Sequence, residues 1–140
     1  MSLRTPARWA GIDYGTQRVG IALADPLGMV AQPETTVPPH DLIEALEALD
    51  AKHGVEGVVV GWPYLHDGTP GTLAEEIQLR INAIEKALPH VRIVRRDEYY
   101  TSELAKQALG EAGVLQAGRY DKGRVDAAAA ALILQDYLDE

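Results

Sequence analysis

Apolar and polar positions along the chain alternate between two periods, and the switches between them divide it into elements. Trp9 to Asp13 is a short apolar run that closes on Tyr14-Gly15, a pair that predicts a tight turn because glycine tolerates positive φ. Val19-Gly20-Ile21-Ala22-Leu23-Ala24 reads as a second, buried strand, and Met29 to Val37 as a third. Pro33 cannot donate to a ladder, so that third strand belongs at a sheet edge. Three strands joined by turns predict an antiparallel meander.

The period then changes to that of a helix. From His40 or Asp41, Leu42, Ile43, Leu46 and Leu49 form one apolar stripe with Glu44, Glu47 and Asp50 opposite, and Gly54 is placed as the stop. Gly57 to Gly61 is a continuous apolar strand of the kind buried on both faces. A loop is expected from Trp62 to Gly71, after which Thr72-Leu73-Ala74-Glu75 reads as a capping box for a helix through Ile77, Ile81, Ile84 and Leu88, stopped by Pro89. Val91 to Val94 is the next strand and leads to Asp97-Glu98. A short helix over Ser102 to Leu109, a loop from Gly110 to Gly123 and an alanine-rich helix from Val125 to Leu138 complete the order. Strands that alternate with helices in the second half imply parallel pairing there, so the expected architecture is α/β, a mixed sheet flanked by helices.

Length and composition narrow the class. The chain has 140 residues, the usual size of one domain, with no internal repeat or composition break, and a single domain over 1–140 is expected. Hydrophobic residues make up 46% and charged residues 24%, an ordinary globular balance. The absence of cysteine removes disulfide and thiolate chemistry and fits a reducing compartment. No run approaches the roughly 20 apolar residues that span a bilayer, and the start, MSLRTPARWA, lacks a secretory pattern, so the expectation is a cytoplasmic protein with no membrane partner. Net charge is −8, which argues against non-specific coating of nucleic acid but not against an enzyme whose site holds metal ions. Basic residues gather just before acids: Arg92, Arg95 and Arg96 in a strand before Glu98, and Arg119, Lys122 and Arg124 in a loop before Asp126.

Three carboxylates are the candidate chemistry. Asp13 ends the first strand and Glu98 sits at the end of the strand Val91 to Val94, where ligands gather in open α/β sheets, and Asp126 opens the last helix. If the two strands are adjacent and parallel, a helix across their ends could bring all three acids together. They would then repel one another unless a cation neutralised them, and hard oxygen ligands suit Mg²⁺ or Mn²⁺. Two such ions roughly 3.5–4 Å apart can activate a water and stabilise a leaving oxygen in phosphodiester cleavage. Each acid also has a plain structural reading. Asp13 could be a turn aspartate, Asp126 a helix N-cap or first-turn acid, and Glu98 a solvated acid or an arginine's partner. Adjacent strand residues face opposite ways, so at most one of Asp97 and Glu98 points inward, and the local sequence does not choose between them. The four histidines, His40, His53, His66 and His90, show no metal-ligand spacing.

Taken in series, the motifs resemble the YqgF/RuvX family. Gly11-Ile12-Asp13-Tyr14-Gly15-Thr16 through Arg18-Val19-Gly20-Ile21-Ala22 to Asp25-Pro26-Leu27-Gly28 is similar to its opening, and Val59-Val60-Gly61-Trp62-Pro63 with Asp67-Gly68 and Gly71 to its glycine-rich centre. Asp97-Glu98 with Thr101, and Val125-Asp126-Ala127-Ala128 through Ile133-Leu134-Gln135, resemble its last two motifs. The resemblance implies an RNase H-like fold akin to the RuvC resolvases. In that fold a five-stranded sheet pairs the first three strands antiparallel, and the first, fourth and fifth parallel. It implies a metal-dependent nuclease whose ligands are Asp13, Glu98 and Asp126, which selects Glu98 over Asp97, and which binds Mg²⁺ or Mn²⁺, expected as two ions. Arg18 in the opening motif, with Arg119, Lys122 and Arg124, is expected to contact substrate. The partner it implies is nucleic acid: precursor 16S ribosomal RNA, or branched DNA, for which a homodimer is expected. Tyr99 departs from the family, which usually has a basic residue there. Tyr99 or Tyr100 could stack on an unpaired base or simply pack. Two other classes compete: an actin-like phosphotransferase, which needs two domains around its nucleotide, and a binding module that kept the fold without catalysis.

Overall fold

The computed structural model describes residues 7–62, 73–97 and 122–140. Its strands are β1 (Arg8–Tyr14), β2 (Val19–Ala24), β3 (Ala31–Val37), β4 (Val55–Trp62) and β5 (Arg92–Asp97). Its helices are α1 (Leu42–His53), preceded by a single 3-10 turn over Pro39–Asp41, then α2 (Ala74–Ala87) and α3 (Lys122–Leu138). The strands form one sheet in the order β3-β2-β1-β4-β5. β1 pairs antiparallel with β2 and β2 with β3, while β4 lies parallel to β1 and β5 parallel to β4. This is the mixed five-stranded sheet that the pattern and the resemblance imply.

The edge position of β3 has the cause read from the sequence. Pro33 sits opposite Ala22, where the register slips against β2, so the residue without an N–H falls at a bulge on the outermost strand. The hairpin leading into it is held by Asp25. Its carboxylate accepts the backbone N–H of Met29 at 2.7 Å and of Val30 at 2.9 Å, while Gly28 turns with φ of 69°. The N–H of Val30, followed by those of Met29 and its neighbours, holds the Asp25 carboxyl below its usual range despite partial desolvation.

The two sheet faces are packed differently. One carries large aliphatic side chains: Ile12, Ile21, Val58 and Val60 meet Leu42 and Leu46 of α1 and Ile77, Ile81 and Ile84 of α2. The other carries Ala22, Ala24 and Val59 under Ala130, Ile133 and Leu134 of α3. Two glycines let α3 lie close. A Cβ at Gly11 would come 2.7 Å from the carbonyl oxygen of Ala130, and one at Gly20 would come 2.1 Å from that of Asp126. The alanines of the helix permit the same closeness, with Ala127, Ala129, Ala130 and Ala131 buried. Gln135 ties the same helix to the hairpin, accepting from the N–H of Ala31 and donating to the carbonyl of Met29, both at 2.9 Å.

Several local expectations are corrected. Gly15 does not use positive φ; among the described residues only Gly28 and Gly54 do. Glycine is needed at position 15 because a Cβ would come 2.8 Å from the carbonyl oxygen of Arg18, which its own N–H binds in the turn. β5 runs to Asp97 instead of stopping at Val94, because it pairs residue by residue with β4 as far as Trp62. Trp62 is therefore the buried end of a strand, not the start of a loop. Helix α2 is preceded by Leu73 in helical geometry with no side-chain cap. Thr72, the other half of the expected capping box, lies outside the described residues, as does the helix expected over Ser102 to Leu109. Helix α3 begins at Lys122, three residues before the expected Val125, so Lys122 and Arg124 belong to its first turn and not to a loop.

Two tests follow. Gly11→Ala and Gly20→Ala should each destabilise by about 1–3 kcal/mol, the cost of overpacking against backbone that cannot rotate away. An unchanged urea midpoint in both would contradict the close contact. Asp50 offers a pH test. Burial works to raise its pKa, but the Val55 N–H at 2.8 Å and His90 Nε2 at 3.1 Å outweigh it and hold the carboxyl below its usual value. A lowered native pKa stabilises the fold above the ordinary carboxylate range, and that stability is lost as pH falls through the lowered value. Asp50→Asn should flatten the acid limb of the stability curve, which denaturant unfolding at stepped pH will read.

Candidate active site

Asp13 is the penultimate residue of β1 and pairs with Gly20 across the ladder. Residues directly opposite in an antiparallel pair share a face, with Cβ atoms about 4.5–5.5 Å apart. Gly20 faces α3, as does Gly11 two residues before Asp13, so Asp13 lies on the α3 face as well. The backbone of Asp126 rests directly over Gly20. One missing side chain thus gives the strand acid and the helix acid a common neighbour, although 113 positions separate them in the chain (126 − 13).

Arg18 closes the arrangement. The N–H of Gly15 donates to the carbonyl of Arg18 at 2.8 Å, making a tight turn between β1 and β2. From that turn the Arg18 side chain reaches Asp126, with Nε 3.1 Å from Oδ2. Arg18 is 39% exposed and Asp126 27%, so water reaches the pair. Gly15, Thr16, Gln17, Arg18 and Asp126 line a shallow depression of about 190 Å³ at this end of the sheet. Within that lining Asp126 supplies the negative charge and Arg18 the positive charge paired with it.

The helix-cap reading of Asp126 is excluded by the corrected start of α3. Asp126 is the fifth residue of the helix, beyond the first turn, which holds no acid. Its carboxylate accepts from the guanidinium of Arg18, in the turn between β1 and β2. Glu98 and Arg119, with Tyr99 and Tyr100, lie outside the described residues. Among the described residues, no group of three or more His, Cys, Asp or Glu converges to hold a metal ion.

The arginines of β5 separate between the two faces. Arg96 lies on the α3 side, 3.3 Å from Asp136 and 2.8 Å from Glu140, with its guanidinium 5.7 Å from the Tyr137 ring. Arg95 lies on the other side over Trp62, 4.9 Å from its ring centroid. Grouping them as one basic cluster missed this; strict alternation along a strand is the signal that separates them. Trp62 is packed into the core. His90 pairs with Asp50, which belongs to α1, and takes no part in the shelf.

Because the Arg18–Asp126 pair is partly exposed, it should contribute less than about 1 kcal/mol to stability. Arg18→Gln should leave the urea midpoint nearly unchanged. A loss of several kcal/mol would make the pair a structural lock and not part of a site.

Comparison with known proteins bears on the family and the fold. The family described as "RuvX: Holliday junction resolvase" matches residues 7–140. A protein of Salinibacter ruber named "Putative pre-16S rRNA nuclease" is 51% identical over 138 residues, covering 99% of this chain and 96% of its own. One of the same name from Chlorobaculum tepidum is 39% identical, covering 99% and 98%. Among solved structures, Thermus thermophilus RuvC in complex with a Holliday junction substrate superposes with a TM-score of 0.52 at 18% identity, covering 91% of each chain. The fowlpox virus resolvase bound to junction DNA does so with 0.57 at 9% identity, covering 94% and 97%.

Proposed function

The chain belongs to the RuvX family of Holliday junction resolvases, and from that premise we propose that it is a metal-dependent nuclease that hydrolyses phosphodiester bonds in precursor 16S ribosomal RNA. The observation that carries the reading is the meeting of Asp13 and Asp126 around Gly20, on a partly exposed shelf. The name borne by full-length relatives supports the ribosomal substrate.

The residues present fit a divalent cation. Asp13 and Asp126 are hard oxygen donors on one face, and the guanidinium of Arg18 already stands against one of them as a cation. Glu98, which the family resemblance selects over Asp97, is the proposed third ligand. Bound by these acids, Mg²⁺ or Mn²⁺, with two ions as the fuller proposal, would supply Lewis acidity toward the scissile phosphate and activation of the attacking water. Asp13, projecting from the rigid centre of the sheet, fixes the site's position. Arg18 offsets the charge of Asp126 and holds its carboxylate in place. Arg119, Lys122 and Arg124 are proposed to grip the substrate backbone, and a cytoplasmic location follows from the substrate.

Asp13→Asn and Asp126→Asn should each lower cleavage of a pre-16S leader RNA by on the order of 100-fold or more, the scale of removing one charged group at a reacting centre. Unfolding midpoints should stay near the wild type. Cleavage that persists in Asp13→Asn, or that survives EDTA, would defeat the reading. A four-way DNA junction assayed in parallel, with Mg²⁺ and Mn²⁺, tests the resolvase alternative, in which a dimer would cut two strands.

A further inference from the structure

Tyr14 and Trp62 end the two central parallel strands. Ile12 is in register with Val60, so two residues further on Tyr14 and Trp62 are neighbours, both buried on the face covered by α2. Each has an arginine in front of it. Arg80 of α2 donates from Nε to the Tyr14 hydroxyl at 3.2 Å. Arg95 of β5 lies over the Trp62 ring at 4.9 Å and donates to the side-chain oxygen of Gln78, two residues before Arg80 on the same helix.

The partners of these two arginines are neutral. Arg18 and Arg96 face carboxylates, but among the described residues no carboxylate pairs with Arg80 or Arg95. A phenol, an indole ring and an amide fix the guanidinium groups without cancelling their charge. In a chain of net charge −8, an arginine with no other purpose would gain by pairing with one of the 21 acids. Two cations held in place by uncharged groups, with ordering entropy already lost, are prepared to receive an anion.

We propose that Arg80 and Arg95 form a second phosphate-binding site, which receives the nucleic-acid strand on the sheet face opposite Asp13. Asp13 and Tyr14 are consecutive and face opposite ways, so a strand crossing the carboxyl ends of β1, β4 and β5 passes from the acids to the arginines over one sheet edge. This rests on the nuclease reading and adds to it where the backbone beyond the scissile phosphate runs.

The test measures binding of fluorescein-labelled leader RNA, and separately of a four-way DNA junction, by anisotropy in EDTA from low to high salt. Each phosphate contact removed lowers the slope of log affinity against log salt by about 0.7–0.9, so Arg80→Gln with Arg95→Gln should lower it by about 1.4–1.8. Arg95→Lys keeps the charge and should keep most of the slope. Arg96→Gln, whose charge is already paired, should not change it. In cleavage, the double variant should raise KM more than it lowers kcat. A double variant that folds with wild-type thermal stability and keeps the full slope overturns the second site alone. A wild-type protein that binds neither probe overturns this site, and the nuclease reading is then decided separately by cleavage with Mg²⁺ and Mn²⁺.

Discussion

A Cβ at Gly20 would overlap the carbonyl of Asp126 at 2.1 Å, and one at Gly11 would crowd Ala130 and Leu134 at 2.7 and 2.8 Å. At these two positions α3 touches the sheet backbone to backbone. Everything on that face depends on this closeness. Ala22 and Ala24 of β2 and the alanines of α3 leave no thick hydrophobic layer between helix and sheet, so a residue near the helix start stands at the level of the strand ends. With leucines in their place, as on the opposite face, Asp126 would be lifted away from Asp13. The small residues therefore act on the site indirectly, by setting a distance.

The opposite face shows what that thin layer gives up. There Ile12, Ile21, Leu46, Ile77, Ile81 and Ile84 supply deep apolar burial, at about 1.5–3 kcal/mol for each large side chain. The fold divides its tasks between faces: stability comes chiefly from α1 and α2, and proximity of charged groups from α3. Two partly exposed acids brought together on the thin side would oppose folding by mutual repulsion. Arg18, contributed by the turn only a few residues beyond Asp13, relieves that repulsion in the protein alone. It is a cation supplied by the same short turn that ends the strand carrying Asp13.

Much of this was legible in the residues. The edge position of β3 followed from Pro33, the buried strand β2 from its unbroken apolar run, parallel pairing in the second half from the alternation of strands with helices, and which strands pair from the family resemblance. Of the site acids, Asp13 is placed at a strand end as expected, and Asp126 lies in the last helix but deeper than its first turn. What the sequence could not supply were partnerships across long separations. Nothing near Arg18 indicates that its partner lies 108 residues on, and nothing near Gln135 indicates that it holds the hairpin at Met29 and Ala31. Such contacts are fixed by how helices cross the sheet, which local periodicity does not encode. Element ends failed for a related reason. β5 extends to Asp97 because β4 offers it ladder partners, a cause outside its own residues. Gly15 was rightly placed in a turn but for the wrong reason, because crowding by a neighbouring carbonyl leaves no mark in the sequence distinct from positive φ.

The arginines show why net charge is a poor guide to partners. A total of −8 suggests a molecule that repels polyanions. Yet a polyanion meets local potential, not the sum, and acids distant from the contact are screened within about 10 Å at moderate salt. The relevant variable is which cations are cancelled nearby. Arg96 is neutralised by Asp136 and Glu140 and adds little to the field at the strand ends. Arg95, one residue earlier, is held by an indole ring and an amide and keeps its full charge. Adjacent residues of one type thus differ in electrostatic effect because a strand sends them to opposite faces, where one meets two carboxylates and the other an indole ring and an amide. An acidic protein can therefore present a local cation wherever its fold pairs an arginine with neutral groups.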